Sequence, residues 1–213
     1  QIVFVSEQDG LGHIYLMNTD GSGQRPLTST KAYDSSPRFS RDGSKIIFVR
    51  QEEIFVMDAD GSNQVQLTTT KKNGLRKGSP SFSPDGKNIL FQSVSFDEVS
   101  RRAVNEIWIM NSDGTGAKRF YGNGYVPSYS PDGSAIIFVG EAEAPFEYEI
   151  YMMDADGSNV HPLTHTGGFK DAPVFAPDGL RIIFVKNGPG GRSGTIQSID
   201  SDGSHSESIL RIY

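Results

Sequence analysis

Three short phrases recur in fixed order along the 213 residues of this chain. An apolar-aromatic start closed by an Asp-Gly turn occurs five times: IYLMNTDGS from Ile14, IFVMDADGS from Ile54, IWIMNSDGT from Ile107, IYMMDADGS from Ile150 and IQSIDSDGS from Ile196. Between these stand PRFSRDG from Pro37, PSFSPDG from Pro80, PSYSPDG from Pro127 and PVFAPDG from Pro173. Each of the four is followed by an apolar run (KIIFVR, NILFQS, AIIFVG, RIIFVK), and a matching run, QIVFVS, opens the chain. Self-similarity at roughly 40 to 53 residues is the signature of a repeat architecture whose unit is one small sheet.

Each phrase has a physical reading. The IIFV runs are continuous and β-branched, as expected of a strand covered on both faces. Burying one such Ile or Phe is worth roughly 1.5–3 kcal/mol, so five runs supply much of the stability. Asp and Asn close turns through local hydrogen bonds, and Gly takes positive φ without steric cost, so DADGS and SPDG read as hairpin turns. The polar stretch after DGS ends in Leu-Thr and contains Pro26 and Pro162. Proline cannot donate to a ladder, which makes this an edge strand. The order is inner strand A (PxFS), buried strand B (IIFV), strand C (IYxM) and outer strand D (xxxLT). Four antiparallel strands repeated radially predict an all-β fold, a β-propeller of about five four-stranded blades. The long, irregular connections disfavour a stacked solenoid. One domain is expected over residues 1–213, with units near 1–28, 29–68, 69–120, 121–164 and 165–213. The first unit opens at strand B and lacks its own inner strand.

The combination of PxFSPDG, IIFVS and IYxMDxDGSxxxxLT resembles the WD40-like repeats of TolB-type β-propellers, over nearly the whole chain. Similar repeats occur in the propellers of tricorn-type and prolyl-oligopeptidase-type peptidases and in oligogalacturonate lyase. The resemblance implies the fold and a periplasmic or secreted location. It says little about function, because the matching residues are turn and core positions.

Composition removes several functions. The net charge of −6 is opposite in sign to what phosphate contacts require, so nucleic acid is not expected as a partner. No apolar run approaches the roughly 20 residues of a membrane helix, and no signal peptide is seen at the start. With no cysteine there is no disulfide, thiolate ligand or cysteine nucleophile. The DxDGS phrase invites a calcium reading, but the twelfth position from Asp58 is Thr69 rather than Glu, and a hairpin turn explains the same residues. His13, His161, His165 and His205 show no metal-binding spacing. Oligogalacturonate lyase has a histidine-rich metal site that finds no counterpart here. GxSxG is absent, and the glycine-rich stretch from Asn187 leads to a strand rather than a helix, so it is no P-loop. No cofactor and no metal are expected.

Function is expected where the units differ. The A–B and C–D turns are nearly alike in every unit, whereas the B–C and D–A loops all differ, and binding residues gather on such loops over a rigid scaffold. The B–C loops begin at Ser6, Arg50, Ser93, Gly140 and Lys186; the D–A loops begin at Thr28, Thr68, Phe120 and Thr164. Lys71, Lys72, Arg76, Lys77, Arg101 and Arg102 make blade three basic there. Glu141, Glu143, Glu147 and Glu149, interleaved with Phe146 and Tyr148, make blade four acidic. The starts of strand A, at Asp34, Lys77, Tyr125 and Asp171, should line the channel mouth, with Tyr33 and Phe169 beside them. The resulting binding set is Asp34, Lys77, Arg101, Arg102, Tyr125, Phe146, Phe169 and Asp171. With no catalytic constellation, the chain reads as a non-enzymatic, monomeric module for a protein or peptide partner, with a glycan as a further possibility. The alternatives are a carbohydrate-active lyase or hydrolase, with Asp34, Lys77, Tyr125 and Asp171 converging, and the gating propeller of a larger peptidase.

Overall fold

The computed structural model describes residues 1–8, 10–69, 76–99, 101–142, 147–188 and 193–212. Nineteen strands form five antiparallel sheets, and there is no helix among the described residues. The first sheet is β1 (Ile2–Ser6), β2 (His13–Met17) and β3 (Arg25–Pro26). The second is β4 (Asp34–Phe39), β5 (Lys45–Arg50), β6 (Glu53–Asp58) and β7 (Val65–Gln66). The third is β8 (Arg76–Phe82), β9 (Asn88–Asp97), β10 (Arg102–Asn111) and β11 (Lys118–Gly122). The fourth is β12 (Gly124–Tyr129), β13 (Ala135–Glu141), β14 (Tyr148–Asp154) and β15 (His161–Pro162). The fifth is β16 (Phe169–Phe175), β17 (Arg181–Asn187), β18 (Gly194–Asp200) and β19 (Glu207–Ile212). Strands pair in chain order within every sheet, so the fold is a five-bladed, all-β propeller whose first blade has three strands. The chain divides into two compact units, residues 1–104 with 108–118, and residues 105–107 with 119–213.

In the first unit, Ile14, Leu16, Ile46 and Phe48 form a core between the first and second sheets, and Ile47, Ile54, Ile89 and Phe91 one between the second and third. In the second unit, Ile137, Val139, Ile150, Ile182 and Phe184 do the same for the fourth and fifth. The apolar runs of β5, β9 and β13 are continuously buried, as expected. Those of β1 and β17 are not: burial alternates in β17 and is partial in β1.

The turns are chemically self-contained. In all five DGS or DGT turns the main-chain N–H of the Ser or Thr donates to the Asp two residues before it, at 2.9 Å. In the A–B turns, Ser40 and Ser130 donate to Asp42 and Asp132 at 2.6 Å. These hydroxyl bonds, followed by the Ser44 and Ser134 N–H groups, hold both carboxyls down at about 2.

Two connections differ from expectation. The segment from Ser93 was expected as a long B–C loop, but its alternating residues continue the sheet: β9 and β10 run to 10 residues each, and Arg101 just before β10 stands at φ 53°. The D–A segment from Phe120 is also largely strand, β11 passing into β12 through Asn123 at φ 57°.

Candidate functional site

Every strand A begins with a β-bulge. The register shifts between Ser35 and Arg38, Gly78 and Ser81, Tyr125 and Ser128, and Asp171 and Val174. The residue before the proline lies at positive φ each time: Ser36 52°, Ser79 47°, Val126 52° and Ala172 51°. Bulges re-aim neighbouring side chains and often flank binding sites. Here they separate two positions. Three residues before the proline stand Asp34, Lys77, Gly124 and Lys170; two residues before it stand Ser35, Gly78, Tyr125 and Asp171. The four expected channel residues therefore do not share one position, since Asp34 and Lys77 belong to the first set and Tyr125 and Asp171 to the second.

The first set is a row of latches. The residue before each IYxM phrase is His13, Glu53, Glu106, Glu149 or, in the last unit, Thr195. Lys77 reaches Glu53 of the preceding sheet at 3.3 Å, and Lys170 reaches Glu149 at 2.8 Å. The Thr of the LT phrase completes both pairs. The Thr68 hydroxyl donates to Glu53 and that of Thr164 to Glu149, while each accepts the N–H of Ile54 or Ile150. Where the lysine position holds Gly124, Glu106 pairs with Arg119 instead, at 2.9 Å. Asp34 is fully buried and binds the Arg50 guanidinium through both oxygens, at 2.6 and 2.9 Å. Arg50 in turn lies over the rings of Phe48 and Phe55. Lys170 was missed in the sequence, and Glu149 and Arg50 were read only as loop residues, although aligning the units on their prolines shows Glu53 with Lys77 and Glu149 with Lys170.

The Lys170 latch shapes a loop. Its ammonium has no solvent exposure and donates to Glu149, to Gly167 O at 2.8 Å and to Tyr148 O at 3.3 Å. The other Glu149 oxygen accepts from Gly167 N at 2.8 Å. Burial pushes the Glu149 carboxyl up, but Lys170, Thr164 and Gly167 outweigh it and hold the group below its ordinary value. The turn leading into β16 is thus fixed from beneath by a buried ion pair.

Of the second set, Tyr125 stands beside this loop. Tyr125 packs edge-on against Tyr148 at 5.7 Å, and Tyr148 against Phe169 at 5.1 Å. The ladder runs from the buried Tyr125 hydroxyl, which has no hydrogen-bond partner among the described residues, to Phe169, 40% exposed. Burial first, then the charge of Asp171, raises the Tyr125 hydroxyl well above its ordinary value, so it stays a proton donor. Beside Phe169 opens a cleft of about 720 Å³, lined also by Glu147, Gly167, Gly168, Lys186 and Arg211. Of the expected residues, Tyr125, Phe169 and Asp171 come together here. Asp34, Lys77, Arg101 and Arg102 belong to the other unit, the last two exposed at the β9–β10 hairpin with Phe96 and Val99. Phe146, like Lys71, Lys72 and Glu143, lies outside the described residues. Among the described residues no group of three His, Asp or Glu could hold a metal ion.

The repeat, the blades and the self-satisfied turns define a β-propeller of the TolB kind. Residues 50–212 match the model of the TolB β-propeller domain, and the chain belongs to that family. It is 33% identical over 142 residues to a TolB homologue of Chlorobium chlorochromatii, covering 65% of this chain and 31% of the relative. TolB of Acinetobacter baumannii superposes with a TM-score of 0.81 at 25% identity, over 98% of this chain and 52% of that one. The oligogalacturonate lyase of Vibrio parahaemolyticus superposes at 0.69 and 16% identity, over all of this chain and 62% of that one, a likeness of fold alone. The chain therefore spans about a third of the length of the curated relatives it matches and about half of the Acinetobacter TolB.

Proposed function

We propose that this propeller is a non-enzymatic binding module whose loop-bearing edge, centred on Tyr125, Tyr148, Phe169 and Asp171, receives a protein or peptide partner. The observation that carries the reading is the fixed turn at Gly167–Gly168. A buried ion pair holds it in place and sets a half-exposed aromatic beside an open cleft. Aromatic residues presented on a rigid frame lose little entropy on binding and recur as interface anchors. Membership of the TolB propeller family supports the reading, and with it an exported location, periplasmic or secreted. The lyase or hydrolase alternative asks Asp34 and Lys77 to act as free charges, but both are engaged in ion pairs.

A photo-crosslinking residue placed at Phe169 or Arg101, and as control at Asp156 or Asp60 in the turns, tests this in an extract of the source organism. Crosslinks to one defined protein from the loop positions and none from the turns are expected. Capture from the turns alone would overturn the reading.

A further inference from the structure

Resting on that reading, we propose that the cleft of the last sheet is a subsite for an acidic residue of the partner's peptide chain, its carboxylate held by Lys186. The half-buried Lys186 stands near the end of β17, and its ammonium reaches only neutral oxygens, Thr166 O at 3.5 Å and Thr166 Oγ1 at 3.3 Å. Among the described residues no carboxylate forms an ion pair with it, although the chain carries an excess of acid. Arg211 lines the same cleft. A cation set in a recess with neutral acceptors alone is ready for an anionic ligand, since charge-assisted hydrogen bonds are about twice as strong as neutral ones.

A second lining residue, Glu147, narrows the ligand class. Glu147 lies so close over Gly167 that a Cβ there would come within 3.1 Å of its carboxylate, while Lys186 lies over Gly168, 3.9 Å from where a Cβ would stand. The two-glycine turn, at φ 60° and 80°, therefore has an anion beside its first glycine and a cation beside its second. An Asp or Glu within a peptide answers both, with its carboxylate on Lys186 and a neighbouring main-chain N–H on Glu147. Phe169 offers an apolar surface to the adjacent side chain. The turn is already held by Glu149 and Lys170, so little order has to be imposed when the peptide arrives.

Panning a random heptapeptide phage library on the wild-type chain and on Lys186→Glu tests the subsite, with Lys186→Gln as a milder variant and thermal melts to show that both fold. Wild-type selection should enrich Asp or Glu next to an apolar residue. The synthesised peptides should bind Lys186→Glu at least about tenfold more weakly, the loss of one charge-assisted contact. Panning on Lys186→Glu should enrich Lys or Arg instead. Enriched peptides indifferent to Lys186 would overturn the subsite and leave the partner-binding reading standing. No enrichment on any form would overturn both. Binding of trigalacturonate that is weakened by Lys186→Glu, without acidic peptides, would assign the cleft to a saccharide and overturn the peptide.

Discussion

The latch between the second and third sheets and the one between the fourth and fifth are built from the same three residues in the same repeat positions, yet they differ. Lys77 is slightly exposed and sits 3.3 Å from Glu53, whereas Lys170 is fully enclosed, 2.8 Å from Glu149, and also caps the carbonyls of Gly167 and Tyr148. Two enclosed charges lose hydration that their attraction only partly returns, so such a pair is a weak source of net stability. What it supplies is position. At the Lys170 site that position is transmitted to a turn, an aromatic and a cleft, on which the proposed binding site rests. At the intervening boundary Gly124 removes the lysine, and Glu106 turns to Arg119. One position of the repeat is thus varied to hold, loosen or omit a tie.

The largest effect that would break this comparison is at Lys170. Lys170→Met leaves the Glu149 carboxylate buried and unpaired, and urea denaturation should show a loss of about 3–5 kcal/mol. Removing Lys77 should do less. Lys77→Met leaves Glu53 partly exposed and still bonded to Thr68, and a loss of about 1–2 kcal/mol is expected in the same assay. A loss at Lys77 equal to that at Lys170 would erase the distinction.

Gly124 comes next. A Cβ there would stand 2.8 Å from Phe138 and 2.9 Å from Ile107, so Gly124→Ala should cost about 1–2 kcal/mol through overpacking, measured by the shift in denaturation midpoint. A neutral result would mean that the lysine is missing for some reason other than space.

The smallest effect is on pH dependence. The Glu149 carboxyl is held below its ordinary value of 4.5 in the folded state, so its contribution is complete above that pH and is lost as pH falls through the lower folded value. The urea midpoint should fall below about pH 4.5 less steeply in Glu149→Gln than in the wild type. Asp42 and Asp132 add their own losses between 3.8 and about 2 in both proteins and cancel in the difference. Identical slopes would show that Glu149 is not the depressed group.

The blades and turns were legible because the local chemistry repeats: PDG, DGS and the β-branched runs each specify one element wherever they occur. The β9–β10 extension was not, because its alternation occurs once and follows a phrase that ends in a loop elsewhere. The latch was hidden by the bulge. Ser36, Ser79, Val126 and Ala172 all take positive φ without a glycine to announce it. Reading the strand starts without that extra residue grouped Asp171 with Lys77, when Lys170 is the equivalent residue. Tyr125, Phe169 and Asp171 were singled out for the looser reason that they flank the same strand starts. The pairing of Asp34 with Arg50 depends on burial, which residue types alone do not convey.

The most direct test of the account is hydrogen exchange at the amide of Gly167, which donates to Glu149. The latch predicts that this amide is strongly protected although it lies in a surface turn, and that Lys170→Met abolishes the protection while leaving Leu27 N–H, bonded in the first sheet, unchanged. Free exchange at Gly167 in the wild type, or protection that survives in Lys170→Met, would contradict it.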